Sequence, residues 1–350
     1  MRITTNQANT DSYTSAPLDQ FSRPMRDLRI SVTDRCNFRC FYCMPAEIYG
    51  ERYEFLPRPE ILTYEEIARL ARILVGLGVG KIRLTGGEPL VRADLAQLVA
   101  MLACIEGVED LTLTTNGYLL AQQAEALREA GLRRLTVSLD TLDDAIFRKM
   151  NGRSFGTQRV LEGIRKAGEV GFQPIKINSV VVKGVNDHTV VDMARFCKEH
   201  GYVVRFIEYM DVGNRNGWKL DKVVPSGEVI RRISREMPLE PLEKNYSGEV
   251  ADRYRYLDGT GEVGVISSVT EPFCGDCTRM RLSPDGRVYT CLFSTLGHDL
   301  KAPIRSGATD DELKERIAGL WRLRTDRYSE ERASMTEPLP RKVEMYQIGG

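Results

Sequence analysis

The chain is 350 residues long, 42% hydrophobic and 28% charged, and its Lys+Arg and Asp+Glu totals are both 49. That balance leaves no global field to gather nucleic acid or a membrane surface, so any anion site has to be local. No apolar run approaches the ~18 residues of a membrane span, the N-terminus lacks the apolar core of a secretory signal, and the length suits a large α/β domain with a smaller partner.

In chain order, residues 1–22 are polar and aperiodic and are expected to form a disordered leader. From 23 to 225, short β-branched runs alternate with amphipathic stretches. Strands are expected at 28–33, 81–85, 111–115, 134–139, 175–182 and 203–208. Helices are expected at 64–77, 94–105, 120–130, 155–170 and 189–200. Strands separated by helices of this length form parallel βαβ units, and six such units make a barrel or a large part of one. Beyond 225 the rhythm breaks. A helix at 226–237, a Gly/Tyr-rich stretch, a β-like segment at 262–269 and a final helix at 310–324 are assigned to a smaller C-terminal domain, 226–350.

The six strands alternate. One face reads Leu28/Ile30/Val32, Ile82/Leu84, Leu111/Leu113, Leu135/Val137/Leu139 and Ile175/Ile177, which belongs under the helices. The other reads Arg29/Ser31/Thr33, Lys81/Arg83/Thr85, Thr112/Thr114/Asn116, Thr136/Ser138/Asp140, Lys176/Asn178 and Arg205. Facing a lumen, such cations are expensive without a counter-ion, and a polyanionic ligand would relieve the cost. An open sheet with this face in water is the alternative; helical crossovers on the sheet argue against it. The strand-end segments share one rim, where barrel enzymes place their sites.

Six of eight cysteines fall into two triplets, Cys36-x3-Cys40-x2-Cys43 and Cys274-x2-Cys277-x13-Cys291. Each is one short of a closed site. Three thiolates on an iron–sulfur cubane leave one iron open to a small molecule, whereas structural zinc wants a fourth ligand. His188, His200 and His298 are too scattered to complete both sites. Thiols in this arrangement favour a reducing cytoplasm. Cys104 and Cys197, in apolar helical stretches, are expected to be buried structural thiols. If 277–282 is extended, Cys277, Arg279 and Arg281 share a face, suiting a phosphate-bearing ligand that also reaches the open iron; a solvated strand is the other reading.

The first triplet, with Tyr42 before its last cysteine and Gly86-Gly87-Glu88-Pro89 after the next strand, resembles the radical S-adenosylmethionine (SAM) superfamily. From about residue 25 to the C-terminus the chain is similar to the GTP 3′,8-cyclase family, which opens molybdenum cofactor biosynthesis. The match is carried by DLRISVTDRCNFRCFYCMP, KIRLTGGEPLVR, LTTNG, GLRRLTVSLD, RFIEYMDVGN, CGDCTRMRLSPDG and the terminal Gly349-Gly350. The resemblance implies a partial (βα)6 TIM-type barrel with a smaller C-terminal iron–sulfur domain. It implies two [4Fe–4S] clusters, on Cys36, Cys40 and Cys43 and on Cys274, Cys277 and Cys291, with SAM as cosubstrate.

By the same resemblance, Tyr42, Gly87, Glu88, Ser138 and Met210 hold SAM, and Arg29, Arg83, Thr114, Lys176, Arg279, Met280 and Arg281 hold GTP. Arg279, Arg281, Gly349 and Gly350 are the implied catalytic residues. A 5′-deoxyadenosyl radical would remove the ribose 3′ hydrogen of GTP, and C3′ would close on C8 to give (8S)-3′,8-cyclo-7,8-dihydroguanosine 5′-triphosphate. A reductant such as flavodoxin or ferredoxin is implied, and cyclic pyranopterin monophosphate synthase would take the product. The enzyme would be cytoplasmic and a monomer or homodimer, with no nucleic acid or membrane partner. Two other readings remain: a peptide-modifying radical enzyme with an auxiliary cluster, or a non-catalytic iron–sulfur sensor.

Overall fold

The computed structural model describes residues 16–246, 248–334 and 341–349. Gly350 and residues 1–15 of the expected leader lie outside the described residues. The β-branched runs form β1 (Asp27–Ser31), β2 (Lys81–Thr85), β3 (Asp110–Thr115), β4 (Arg134–Ser138), β5 (Lys176–Val181) and β6 (Val203–Glu208). Between them lie α1 (Tyr64–Val75), α2 (Leu95–Ala103), α3 (Leu120–Glu129), α4 (Asp144–Asn151), α5 (Gln158–Glu169) and α6 (Val190–Glu199). Helix α4 was not expected, although its signals are local. Asp143 accepts from Ile146 N at 2.8 Å, and Gly152 ends the helix in the left-handed region at φ 61°.

The C-terminal half adds α7 (Ser226–Glu236), β7 (Leu239–Leu242), β8 (Asp252–Tyr256), β9 (Glu262–Ile266), β10 (Arg279–Leu282), β11 (Arg287–Tyr289) and β12 (His298–Asp299). The helices α8 (Lys301–Arg305), α9 (Asp310–Arg322), α10 (Tyr328–Glu331) and α11 (Met345–Ile348) follow. All twelve strands belong to one sheet, in the order β12-β11-β10-β1-β2-β3-β4-β5-β6-β9-β8-β7. The boundary expected at 225/226 falls just before α7, but the sheet runs across it. β9 pairs in parallel with β6, and β10 in parallel with β1. The later strands therefore lengthen the six-stranded partial barrel at both edges rather than building a sheet of their own.

The apolar face packs as its alternation implies: Leu28, Ile30, Ile82, Leu84, Leu113, Val137 and Ile177 are all fully buried in the main core. Cys197 is buried there too, but Cys104 is exposed. It lies one residue past α2, whose buried residues Leu95, Leu98, Val99 and Leu102 follow the helical period and leave position 104 outward. Part of the expected leader is also packed. Asp19 is buried, and Leu18 makes a β-bridge with Pro24. The physical reason is the ion pairing of Asp19 with Arg23 and Arg324, the second of them too distant in sequence for a compositional reading to find. No helix among the described residues is long and apolar enough to cross a membrane.

Glu208, at the end of β6, joins the two halves. Its buried carboxylate accepts from Ser226 N at 2.9 Å, Val269 N at 2.8 Å and Thr270 N at 2.9 Å. Hydrogen bonds to a charged group contribute about 1.5–3 kcal/mol. Glu208→Gln is therefore expected to lower unfolding free energy by about that amount, read as a lower denaturant midpoint. An unchanged midpoint would remove Glu208 from this role.

Candidate active site

The first cysteine loop leaves β1 and is shaped by its neighbours. Phe38 is buried edge-on against Tyr118 and Phe147, with centroids 5.9 and 6.0 Å away. Arg39 donates to the carbonyls of Tyr49, Cys36 and Phe38 at 2.5, 2.6 and 2.7 Å. A turn closes from Cys43 N to Cys40 O at 2.9 Å. The Gly86–Pro89 turn packs directly on this loop: Gly87 N donates to Thr33 O at 2.7 Å and Glu88 N to Arg35 O at 2.8 Å. A Cβ on Gly87 would overlap Arg35 O, so glycine is required here by close approach.

The residues expected around SAM divide. Tyr42 donates to Asp140 Oδ2 at 2.7 Å beside the cysteines. Asp140 is pushed up to about 6 by burial, against hydrogen bonds from Tyr42 and Val180 N. Ser138 is half-buried at the end of β4, and Met210 lines the lumen beyond β6. Glu88 differs from its neighbours. Its carboxylate accepts from Thr115 Oγ1 at 2.6 Å, Asn116 N at 2.7 Å and Leu90 N at 3.0 Å. Only 1% exposed, it braces the rim between β2 and β3 instead of opening towards a ligand.

Below the rim, the polar strand face encloses a cavity of about 920 Å³. Arg29, Lys81, Arg83, Thr112, Thr114, Thr136, Lys176, Asn178 and Arg205 line it, joined by Arg279, Arg281 and the cysteines of the second triplet. Register explains the concentration of charge: Arg29 pairs with Arg281 on one side and Arg83 on the other, giving three arginines in one row. One layer down, Asp27 lies between Arg279 and Lys81. Burial lowers the Arg29 pKa, and Arg281, Arg279 and Arg83 lower it further. Arg83 is steadied by Thr114 Oγ1 at 2.8 Å, and Arg205 by Asn178 Oδ1 at 3.0 Å. Lys176 is pushed down to about 8 by burial and then by Arg205 and Arg134, with Glu249 and Glu262 pulling the other way.

In the second cysteine loop, β10 places Arg279 and Arg281 on the lumen side. Met280 points the other way and is fully buried in the core. The two-residue period of the strand thus turns the Met280 side chain away from the lumen, so the expected substrate contact is not made by that side chain. The C-terminal tail enters the lumen from the rim. Tyr346 OH and Tyr53 OH are 2.8 Å apart, and Ser31 Oγ donates to Tyr346 O at 3.4 Å. Arg281 donates to Gly349 O, and to Ile348 O at 3.4 Å. Gly349 has φ 72°, and a Cβ there would overlap Thr85 Cγ2, so this tail position demands glycine.

All eight cysteines are free thiols. Burial pushes Cys36 up to about 12 and raises Cys40 and Cys43 as well. Burial pushes Cys291 up to about 12, while at Cys277 burial is outweighed by Arg279 and Arg324, leaving about 6. Thiolates buried this deeply need a bound cation. Donors already point at them: backbone Phe38 N to Cys36 Sγ and Phe293 N to Cys291 Sγ, both at 3.4 Å, and the Arg279 guanidinium Nη2 to Cys277 Sγ at 3.5 Å. Hydrogen-bonded sulfur of this kind fits iron–sulfur ligation at each triplet.

Lys81 and Arg205 were read on the polar face but given no binding role; their alternation with the apolar set was the available signal. Arg134, Tyr246 and Glu249 were missed. Tyr246 and Glu249 come from the aperiodic stretch before β8, where no repeat defines a face.

Residues 30–197 match the radical SAM superfamily model, and 202–330 match Molybdenum Cofactor Synthesis C. A protein of Acidothermus cellulolyticus named GTP 3′,8-cyclase is 54% identical over 356 residues, covering 95% of this chain and 98% of that one. A protein of the same name from Staphylococcus aureus (strain JH9) is 49% identical over 335 residues, with the same coverage. In fold, the chain is similar to Streptococcus suis SuiB, solved bound to S-adenosylmethionine, with a TM-score of 0.59 and 17% identity over 88% of this chain and 68% of that one. The chain belongs to the GTP 3′,8-cyclase family of the radical SAM superfamily.

Proposed function

We propose that the protein converts GTP to 3′,8-cyclo-7,8-dihydro-GTP, the first step of molybdenum cofactor synthesis, in the cytoplasm, with a low-potential donor such as flavodoxin or ferredoxin as reductant. The observation that carries this reading is the row Arg281–Arg29–Arg83, lining one cavity together with the cysteines of the second triplet. The triplets would hold two [4Fe–4S] clusters, the first supplying the electron that cleaves SAM to a 5′-deoxyadenosyl radical able to take the ribose 3′ hydrogen.

This chain's residues do the positioning. Arg29, Lys81, Arg83, Lys176 and Arg205 neutralise the triphosphate, with Arg281 adding its charge from the same row; Arg279 orients the nucleotide beside Cys277. Tyr42, Gly87, Ser138 and Met210 shape the SAM side. Arg281 fixes the tail carbonyl of Gly349, closing the lumen between rim and substrate and keeping water from the reactive carbon. With one lumen serving both ligands, an open end would let the radical be quenched before it met the ribose.

Anaerobic incubation with SAM, reductant and GTP, followed by mass analysis, should give the cyclised nucleotide and 5′-deoxyadenosine. Cleaved SAM with GTP returned intact would overturn the reading. In the same assay, Arg281→Ala and deletion of Gly349–Gly350 should both lower cyclised product while 5′-deoxyadenosine persists. Losing one charged hydrogen bond of ~1.5–3 kcal/mol predicts a roughly ten- to hundredfold drop for Arg281→Ala. A full rate of cyclised product from either variant would contradict the tail's role.

Lys176 gives a pH signature. A lysine lowered to about 8 by burial and Arg205 loses its charge as pH rises through that value, and an anion prefers the charged form. GTP affinity should therefore fall between pH 7 and 9, and Lys176→Arg should flatten the fall because arginine keeps its proton. Equal slopes for both proteins in an anaerobic titration would exclude Lys176 as a triphosphate contact.

A further inference from the structure

The second cysteine loop is held from behind by charges that lie outside the cavity lining. Arg23 Nη1 donates to Cys274 O at 2.6 Å, and Arg324 Nη1 donates to Cys277 O at 2.7 Å. Thr290, next to Cys291, donates to Asp326 Oδ2 at 2.6 Å, and Asp326 lies 3.4 Å from Arg324 Nε. Each of the three cysteines is thus tied to this group through its own carbonyl or its neighbour's side chain.

Asp19 joins the two arginines. Its carboxylate pairs with Arg23 Nε at 2.6 Å and Arg324 Nη1 at 3.1 Å, and it also accepts from the backbone N–H of Phe21 and Arg23, each at 2.9 Å. The side chains of Asp19, Arg23 and Arg324 are 0%, 3% and 1% exposed. Trp321 Nε1 donates to Arg23 O at 2.9 Å, anchoring the N-terminal segment on α9. Burying three ions this completely is costly unless the geometry returns the energy. Stability alone is a weak reason to keep them, since apolar residues would pack as well. Their shared target is the backbone of the ligand loop. Arg39 does the same in the first loop, donating to Cys36 O at 2.6 Å.

We infer that Asp19, Arg23 and Arg324 are positioning residues for the second iron–sulfur cluster, fixing the carbonyls of Cys274 and Cys277 and placing two guanidiniums behind the ligand loop. Residues 16–24 are accordingly part of that site and not a leader. This rests on the proposed second cluster. A cation near a cluster favours the reduced, more negative state, so removing one should make the midpoint potential more negative.

The test uses full-length protein with Cys36, Cys40 and Cys43 all replaced by alanine, so that iron reports the second triplet alone. About four irons are expected after anaerobic reconstitution; none would sink the second-cluster reading itself, and this inference with it. In that background Arg324→Gln should shift the midpoint potential to a more negative value or lose the cluster from a folded protein. Arg324→Lys should restore part of the shift. If Arg324→Gln does not fold, as judged by circular dichroism, Asp19→Asn with Arg324→Gln removes the uncompensated charge and is read instead. Folded variants with unchanged iron content, electron paramagnetic resonance signal and midpoint potential would overturn the positioning role.

Discussion

Three guanidiniums stand side by side on adjacent strands and line one cavity, and much of the molecule is arranged around the cost of keeping them there. Arg281, Arg29 and Arg83 share one register row, and none of the three has an ion pair among the described residues. At the distances set by strand spacing, ~4.7–4.9 Å between neighbours, like charges repel each other and lose hydration. The threonine and asparagine hydroxyls and amides nearby soften that cost without cancelling it. A bound polyanion does cancel it. The carboxylates of Asp27, Asp110, Glu249 and Glu262 in the same lining offset part of this charge, and the remainder suits the cavity to an anionic ligand.

The topology makes this row possible. Arg281 belongs to the C-terminal half, yet it lies beside Arg29 because β10 pairs in parallel with β1. The strand that carries the third arginine also carries Cys277 at its entrance. Thus the parallel pairing of one late strand brings the second cysteine loop, the arginine row and the tail's anchor into one space. The first cysteine loop leaves the C-terminal end of β1, on the rim. Both cysteine loops and the arginine row are therefore placed by a single strand, β1, through its C-terminal end and its two neighbours.

Much of this was legible in the sequence. The alternation along β1–β6 named the lumen residues, because a strand with one face under helices has no freedom in where the other face points. The cysteine spacings named the redox loops. What could not be read were the partnerships between distant residues. Asp19 looks like part of a polar leader until Arg324 is folded against it. Glu88 looks like a ligand until Thr115 and Asn116 are seen to use its carboxylate. Met280, between two arginines that do face the lumen, was carried along by the motif although the strand period turns it into the core.

The central claim is that the lumen recognises a triphosphate through its arginine row. The most direct measurement is the thermal midpoint of cluster-loaded protein, taken anaerobically with GTP, with guanosine and with inorganic triphosphate at equal concentrations. A ligand that binds only the folded state raises the midpoint with its occupancy. The account predicts a clear rise with GTP, a rise with inorganic triphosphate that shrinks as salt increases, and a much smaller effect of guanosine. Guanosine matching GTP, with inorganic triphosphate giving no shift, would contradict it.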